Sequence, residues 1–410
     1  MHIAEVVTIA KSLPLLRLNT YKSLILSYSA DYRRIYMKKR AIILHPAIAP
    51  YRVDFFNSLA KEFDASFYFE FDNALEQAFD QEKLRKRLCF APHFLSSGFM
   101  GIKNLRLEVL TILWKNKADV VFVSEYNLLG LLVCFYKLLF NWNLTVVSIC
   151  DDNVSMAQGT HFVKKLTRYV MLHILSIVVL ADNNVLTWYE SNLRFKSKYV
   201  YFPIIQSDNF FRERLLKALS ISVSIADRYS LIGKKNILYV GRLVEIKNVS
   251  LLLKAFRQVN ADFPDARLLI VGDGDLREDL ESQVQDYISA GLIRFMGKQE
   301  GLDLLAYYNL AQIFVLPSLY EPFGTVVNEA LLSGCYTLCS SIAGSACLID
   351  EPQNGLVFDP SNESGLYHKL KKALMGAVGL EEIALKGNKM QIRYAERMDC
   401  LLKCLYLSIN

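Results

Sequence analysis

The sequence predicts an α/β protein of two Rossmann-like parallel-sheet halves that face each other across a cleft. Three observations predict it. Short apolar runs alternate with longer amphipathic stretches from Arg40 to about Pro203. The alternation restarts at Lys234, after a stretch from Ile204 to Gly233 that reads as a connection. At 410 residues the chain is long enough for two full cores. Strands separated by helices imply parallel pairing through right-handed crossovers.

In the first half the strand candidates are Ala41–Leu44, Ser66–Phe69, Val120–Val123, Leu144–Ile149, Ile177–Leu180 and Tyr199–Phe202. Helical stretches lie at Arg52–Phe63, Asn127–Phe140 and His161–Leu175. Between Leu75 and Arg106 the pattern is less regular: Lys83, Arg85, Lys86 and Arg87 precede Phe90, Phe94, Phe99 and Met100. We read this as a solvated helix face followed by a packing loop, the alternative being a contact with a phosphate or lipid headgroup. The second half offers Asn236–Val240, a helix from Ser250, Arg267–Val271, a helix from Leu276, then Leu292–Phe295, Ile313–Leu316 and Tyr336–Cys339. From about Ser364 the tail is helical and charged. The boundaries that follow are a basic extension at 1–36, a first half at 37–205, a linker at 206–233 and a second half at 234–385. A C-terminal helix at 386–410 has the option of packing back on the first half.

The net charge of +6 sits at the start of the chain: the first 40 residues hold eight Lys and Arg against Glu5 and Asp31, and the remainder is balanced. A nucleic-acid role for the body of the chain therefore has no support. The first 36 residues show no clean period. They read either as an upstream extension before Met37 or as an amphipathic segment seeking an anionic membrane, and the poor hydrophobic pattern favours the first. No stretch of about 18 uncharged apolar residues occurs; the nearest, Asn127 to Phe140, is interrupted by Lys137. Lys11, Arg17 and Lys22 break what would be the apolar core of a signal peptide. The eight cysteines include no Cys-x-x-Cys pair and sit mostly in apolar runs, as buried cytosolic thiols would.

Four motifs carry chemistry. After the strand candidate Ile313–Leu316, a loop holds Glu321 to Gly324, and helical spacing then begins at Val326 and stops at Gly334. Glu321 and Glu329 thus bracket a helix N-terminus whose free amides favour an anion such as a diphosphate, with Glu329 placed to accept hydrogen bonds from hydroxyls. Gly241 lets the chain turn after Val240, and Arg242 and Lys247 follow as two cations before a helix that Asn248 can cap. They suit a diphosphate, or else are ordinary surface residues. The run Val271-Gly272-Asp273-Gly274-Asp275 also follows a strand, but Arg277 stands where a dinucleotide fingerprint has its third glycine. It reads as a turn beside a base or ribose. Asp151 and Asp152, after the strand Leu144–Ile149, fit a divalent ion or general base, or the cap of a loop or helix.

Taken together, Val240-Gly241-Arg242 with Lys247, Val271-Gly272-Asp273, Phe295-Met296-Gly297, and Glu321-Pro322-Phe323-Gly324-Thr325 with Glu329 resemble glycosyltransferase family 4. The Glu, seven residues, Glu signature of that family is matched by Glu321 and Glu329. Ser341 to Ser345 and Asn354 to Phe358 are similar to its closing loop and final strand. The resemblance is strong over Lys234 to Pro360. Pro46 to Asn57, including Tyr51 and Arg52, resembles the opening of members that assemble bacterial capsule, lipopolysaccharide or exopolysaccharide.

The resemblance implies the GT-B fold and transfer of a sugar, with retention, from a nucleotide-diphosphate sugar to a glycan or lipid-linked acceptor. It assigns the second half to the donor and the first to the acceptor. Arg242 and Lys247 would hold the diphosphate. Glu321 would take hydroxyls of the donor sugar, beside the backbone of Phe323, Gly324 and Thr325. Glu329 would bind the ribose, with Gly241 and Gly272 at the nucleotide and Gly297 and Lys298 near the base. Tyr51, Arg52, Asp151 and Asp152 are the acceptor-side candidates. Cys150-Asp151 stands where many members have a His, so a His-centred acceptor site is not implied. The cations and helix amides would let the enzyme work without a metal or other cofactor. The implied place is the cytoplasm, at the inner face of the membrane if the acceptor is lipid-linked. A GT-B epimerase or hydrolase, or a non-catalytic donor-binding subunit of a polysaccharide assembly complex, is the alternative.

Overall fold

The computed structural model describes residues 38–72, 79–99, 102, 105–159, 161–193 and 195–409. The two readings of residues 1–36 lie outside the described residues. The first sheet contains β1 (Arg40–His45), β2 (Asp64–Phe69), β3 (Pro92–Phe94), β4 (Val120–Ser124), β5 (Thr145–Cys150), β6 (Ile177–Leu180) and β7 (Lys198–Tyr201). Its strands run parallel in the order β3-β2-β1-β4-β5-β6-β7. The second contains β8 (Lys235–Val240), β9 (Ala266–Val271), β10 (Ile293–Phe295), β11 (Ile313–Leu316), β12 (Tyr336–Ser340) and β13 (Gly355–Phe358). It too is parallel, in the order β10-β9-β8-β11-β12-β13.

Central strands such as β6 (Ile-Val-Val-Leu) and β11 (Ile-Phe-Val-Leu) are buried throughout because helices cover both faces of each sheet. Each sheet also has one point where the strand order reverses direction, between β1 and β4 in the first and between β8 and β11 in the second. At such a point successive crossovers leave on opposite faces, and a crevice opens beyond the carboxyl ends of the strands. Those two crevices hold the residues described below.

The predicted strands all form within a residue or two. The three-residue edge strand β3 escaped prediction because it begins with a proline and is largely exposed, so it carries neither apolar run nor alternation. The stretch read as a connection is two helices, Asp208–Lys217 and Leu219–Tyr229. They pack on the helix Gly301–Leu310 of the second half, where Ser222 Oγ donates to Ala306 O (3.2 Å) and Asn309 Nδ2 to Leu215 O (3.0 Å). The tail crosses back. Helix Tyr394–Tyr406 lies on the first half, with Tyr406 stacked on Phe63 at 6.0 Å and Thr145 Oγ1 donating to Ser408 O at 2.7 Å. Among the described residues no helix is long and apolar enough to cross a membrane. All eight cysteines are free thiols; Cys134, Cys150, Cys335 and Cys339 are buried, whereas Cys89 and Cys400 are exposed, contrary to a uniformly buried set.

Candidate active site

In the second half, three glycines bring three strand ends into line. Gly241 N donates to Val271 O (3.0 Å) and Gly272 N to Gly297 O (2.8 Å). A Cβ at Gly272 would stand 1.8 Å from Gly241 O, so only glycine permits this approach. Beyond Gly241 the chain makes a short turn, Glu245–Lys247, and Ile246 O accepts from Leu319 N (2.8 Å) in the loop after β11. That bond sets Lys247 against Glu321, and the two form an ion pair whose side chains are each 12 % exposed.

Glu321 is fixed from behind. Ser345 N donates to Phe323 O (2.7 Å) and Gly344 N to Glu321 O (3.3 Å). Gly324 has φ +90° and packs so closely that a Cβ would lie 2.9 Å from Ser345 Oγ. Phe323 is buried beneath the loop. Arg242 is held by its carbonyl, which accepts from Tyr239 OH (2.9 Å), while its side chain stays exposed at the crevice rim. An Arg on the rim and a Lys inside it provide cations at two depths.

Two expectations change here. Asn248 does not cap the following helix with its side chain: it stands at φ +52° and its Nδ2 donates to Pro360 O (3.2 Å). The helix after Thr325, Val326–Leu332, has only seven residues, and Val327 N is already used by Gly324 O (3.0 Å). Its dipole is correspondingly small, which leaves more of the anion stabilisation to side-chain cations. Lys298 is an exposed side chain that pairs with Glu300 (2.8 Å).

Glu329 is half-buried between the halves. Its Oε1 accepts from Gln206 Nε2 (2.9 Å) and its Oε2 from Tyr308 OH (3.0 Å). Burial raises its carboxyl above the ordinary range, opposed by Tyr308, Arg214, Gln206 and Arg87. Gln206 also receives a bond on its Oε1 from Arg214 (2.8 Å), and its N donates to Asn328 Oδ1 (2.9 Å). Glu329 is therefore tied to the connection as well as to its own domain. Across the cleft, Tyr201 OH at the end of β7 reaches Cys347 Sγ (3.8 Å). Of the basic cluster read as a solvated helix face, Lys83, Arg85 and Lys86 do pair on the surface, but Arg87 turns inward. Its guanidinium is lowered to about 10 by burial and by Arg214, with Asp54 and Glu329 opposing.

In the first half the carboxyl ends of β1, β4 and β5 converge. Asp151 pairs with Arg52, which is only 3 % exposed and whose Nε has no hydrogen-bond partner among the described residues. Beside them, Tyr51 is raised by burial and by the Asp151 charge. Asp152 turns the other way. Its Oδ1 accepts from Lys164 Nζ (3.0 Å), and the same ammonium meets Glu125 Oε2 (3.0 Å). Capping of the following helix falls to Asn153, whose Oδ1 accepts from Met156 N (2.8 Å). Glu125 sits directly after β4 at φ +55°, a conformation rare for a residue with a side chain. Burial raises its carboxyl, Lys164 opposes, and Asp152 and Asp151 add to the rise. The Lys164 ammonium is raised: burial pulls it down, but Glu125 and Asp152 outweigh that.

His45, at the end of β1, completes the group. Its Nδ1 lies 2.9 Å from Ala47 O and must donate there, which leaves Nε2 as an acceptor. Burial, with Arg52 adding, lowers its pKa to about 4. Sequence reasoning missed His45, Glu125 and Lys164. Glu125 was findable, because it follows an apolar strand just as Asp151 does; Lys164 was not, since helical spacing alone does not say which face of its helix turns inward.

Comparison with known proteins fits this geometry. Residues 228–390 match the family model described as glycosyl transferases group 1, and the chain carries a domain of that family. An uncharacterized glycosyltransferase of Methanocaldococcus jannaschii is 34% identical over 133 residues, covering 32% of this chain and 34% of the relative. The GalNAc-alpha-(1->4)-GalNAc-alpha-(1->3)-diNAcBac-PP-undecaprenol alpha-1,4-N-acetyl-D-galactosaminyltransferase of Campylobacter jejuni is 30% identical over 178 residues, 41% of this chain and 48% of the relative. This chain thus spans between a third and a half of the length of these curated relatives. A structure of Anabaena Alr3699/HepE in complex with UDP-glucose superposes with a TM-score of 0.62 at 13% identity, over 90% of this chain and 98% of that one. That whole-length likeness shows the fold, two parallel-sheet domains in the GT-B arrangement.

Proposed function

We propose that this protein is a retaining glycosyltransferase that moves a sugar from a nucleotide-diphosphate donor to a glycan or lipid-linked acceptor in surface polysaccharide assembly. The observation that carries the reading is the Lys247–Glu321 pair, held by backbone bonds at the point where the second sheet reverses direction. An ammonium beside a fixed carboxylate in a half-buried crevice is what a sugar diphosphate requires: the cation at the phosphate, the carboxylate at the sugar hydroxyls.

In the reaction so proposed, the bond between the anomeric carbon and the diphosphate breaks, and negative charge grows on the leaving oxygen. Arg242 and Lys247 stabilise it, and because Lys247 is already positioned by Glu321 little reorganisation is needed. The acceptor hydroxyl attacks the oxocarbenium-like carbon from the face the phosphate leaves, and its proton passes to the departing phosphate oxygen. No dedicated base and no metal is called on. Glu329 takes the ribose hydroxyls on lone pairs left by Gln206 and Tyr308. Gly241, Gly272 and Gly297 allow the nucleotide to approach the backbone, and Phe323, Gly324 and Thr325 line the sugar. Tyr51, Arg52, Asp151 and Asp152 border the acceptor side. The acceptor named in the Campylobacter relative is an undecaprenol diphosphate glycan, which supports a lipid-linked acceptor at the inner face of the cytoplasmic membrane.

The test is product formation from a panel of sugar nucleotides with glycan and undecaprenol-linked acceptors. Transfer by the wild type, lost in Lys247→Ala, supports the reading. Release of free sugar or an epimerised nucleotide sugar without any transfer would replace it with the hydrolase or epimerase alternative.

A further inference from the structure

Three neighbouring helices of the first half turn apolar residues to solvent where a soluble face would carry charge. In helix Phe162–Leu172 the usual arrangement is inverted. Lys164 and Arg168 point inward, Lys164 to Glu125 and Asp152, and Arg168 to Ala157 O (2.9 Å) and the face of Trp188 (5.5 Å). Phe162, Val163, Leu166 and Tyr169, at one helical spacing, face out, with Phe162 72 % exposed. In helix Leu128–Phe140 a second stripe of Leu128, Phe135 and Leu139 is exposed and continues to Trp142, itself 72 % exposed. The two helices meet closely at Gly130, where a Cβ would lie 2.6 Å from Met171 Cε. Trp114, on helix Glu108–Asn116, extends the surface by an edge contact with Phe140 at 5.8 Å.

The charge on these three helices has one sign at the surface. Their only acidic residue is Glu108, whose Oε1 is occupied by Ser96 N, whereas Lys115 and Lys165 are exposed and neither has an ion-pair partner among the described residues. Lys137 meanwhile donates its ammonium to Ile174 O (3.1 Å) and Ser176 Oγ (3.0 Å) and leaves the outer stripe uncharged. An apolar stripe with Trp and Tyr among its side chains and unpaired lysines beside it matches the headgroup layer of an anionic bilayer.

We propose that this face seats the protein on an anionic membrane, with the helices lying in the interface plane. The longest of the three spans about 20 Å, enough for a broad footprint. Leu128 begins its helix just after β4, and Lys164, in the first turn of the helix that starts at Phe162, meets Glu125 and Asp152 beyond the ends of β4 and β5, so the face starts at the rim of the cleft. There, Lys164 joins the membrane-facing helix to Asp152 and Glu125. A lipid-linked acceptor seated in the bilayer would present its headgroup to that rim. This last link rests on the glycosyltransferase reading; the docking face does not.

The test is flotation of the full chain with vesicles of phosphatidylglycerol and phosphatidylethanolamine, against vesicles of phosphatidylcholine alone. The wild type should bind the anionic vesicles and lose binding as salt rises. Phe162→Ser combined with Leu166→Ser should weaken binding by about tenfold or more, and Lys165→Glu by about fivefold on anionic vesicles only. Should the double variant fail to fold by circular dichroism, Trp142→Ser replaces it. Equal binding by wild type and variants overturns the proposal. So does a wild type that ignores vesicles but self-associates through this face, which would make a second copy the occupant. Donor binding, followed by calorimetry on the same samples, reports separately on the nucleotide-sugar reading.

Discussion

The two crevices occupy equivalent places in their sheets yet are built differently. In the second half, each residue that matters is placed by backbone. Three glycines align three strand ends, Ile246 O pins the loop after β11, and Gly344 and Ser345 hold Glu321 from behind. In the first half the backbone contributes one strained residue, Glu125, and the rest is a network of charged side chains: Arg52 with Asp151, and Lys164 between Asp152 and Glu125. A backbone-built site is rigid, specific to one ligand shape and tied to sequence. A site built from side-chain charges can be re-partnered when a different ligand enters. This contrast fits the proposed division into a donor half that binds one class of nucleotide sugar and an acceptor half.

The sharpest way to break the comparison lies at Lys247 and Glu321. Lys247→Ala or Glu321→Ala should each lower kcat by about a thousandfold. Because the two side chains act as a pair, the double variant should cost little more than either single one. Fully additive losses, measured with a saturating donor, would mean that the pair is not a unit. Slightly smaller is the effect expected at Gly272. A Cβ there meets Gly241 O, a backbone atom that cannot rotate away, so Gly272→Ala should destabilise by about 3 kcal/mol in urea unfolding and weaken donor binding in parallel.

On the acceptor side the effects should fall on the acceptor. Glu125→Gln should lower kcat/KM for the acceptor by about a hundredfold while leaving donor affinity within about twofold. A change confined to donor affinity would assign Glu125 to the wrong half of the reaction. His45 gives a pH signature. Its pKa falls from the ordinary 6.5 to about 4 in the folded chain, so the unfolded chain binds the proton more readily. Stability from this group is complete above about pH 6.5 and lost as pH falls to about 4. Allowing for the ring's partial exposure, the loss is about 2 kcal/mol. His45→Asn should flatten that part of the urea-stability profile between pH 7 and 4.5.

The same contrast explains what could be read from sequence. The donor-side motifs are short and contiguous, because glycine turns, a strand end and a nearby cation are encoded within a few residues. Even so, the pairing of Lys247 with Glu321, 74 positions apart, follows only from the β8–β11 neighbourhood. The acceptor-side cluster draws on His45, Arg52, Glu125, Asp151, Asp152 and Lys164, which come from five elements and lie within no shared motif. Arg52 and Asp151 stand out singly in the sequence. Their partnership, and the inward turn of Lys164 on a helix whose apolar face points out, depend on tertiary packing that spacing does not record. The two-sheet fold, by contrast, is legible in its apolar runs, apart from the exposed β3, the final strand β13, which only the family resemblance points to, and the paired helices between the halves. Those helices escaped because their polar and apolar residues alternate without a strong face.

The smallest effect tests how firmly the halves are joined. Tyr394, at the start of the returning tail helix, places its hydroxyl 2.9 Å from Asp54 O and 2.8 Å from Ser58 Oγ, and its ring edge-on to Phe202 at 5.7 Å. Nearby, Asp54 Oδ2 accepts from Ser207 N (2.8 Å) at the start of the connection, and Asp208 pairs with Arg393 (2.9 Å) just before the tail helix. Connection, tail and first half are thus held at one corner. Tyr394→Phe keeps the ring and removes the hydroxyl, while Ser58 Oγ still donates to Asp54 O (2.9 Å), so no carbonyl is left unpaired. The expected loss is about 1 kcal/mol in urea unfolding. The informative reading is the slope as well as the midpoint. An unchanged slope means the halves still unfold together with this corner weakened. A shallower one, with donor binding retained, means the tail alone had coupled them, and the donor half stands by itself.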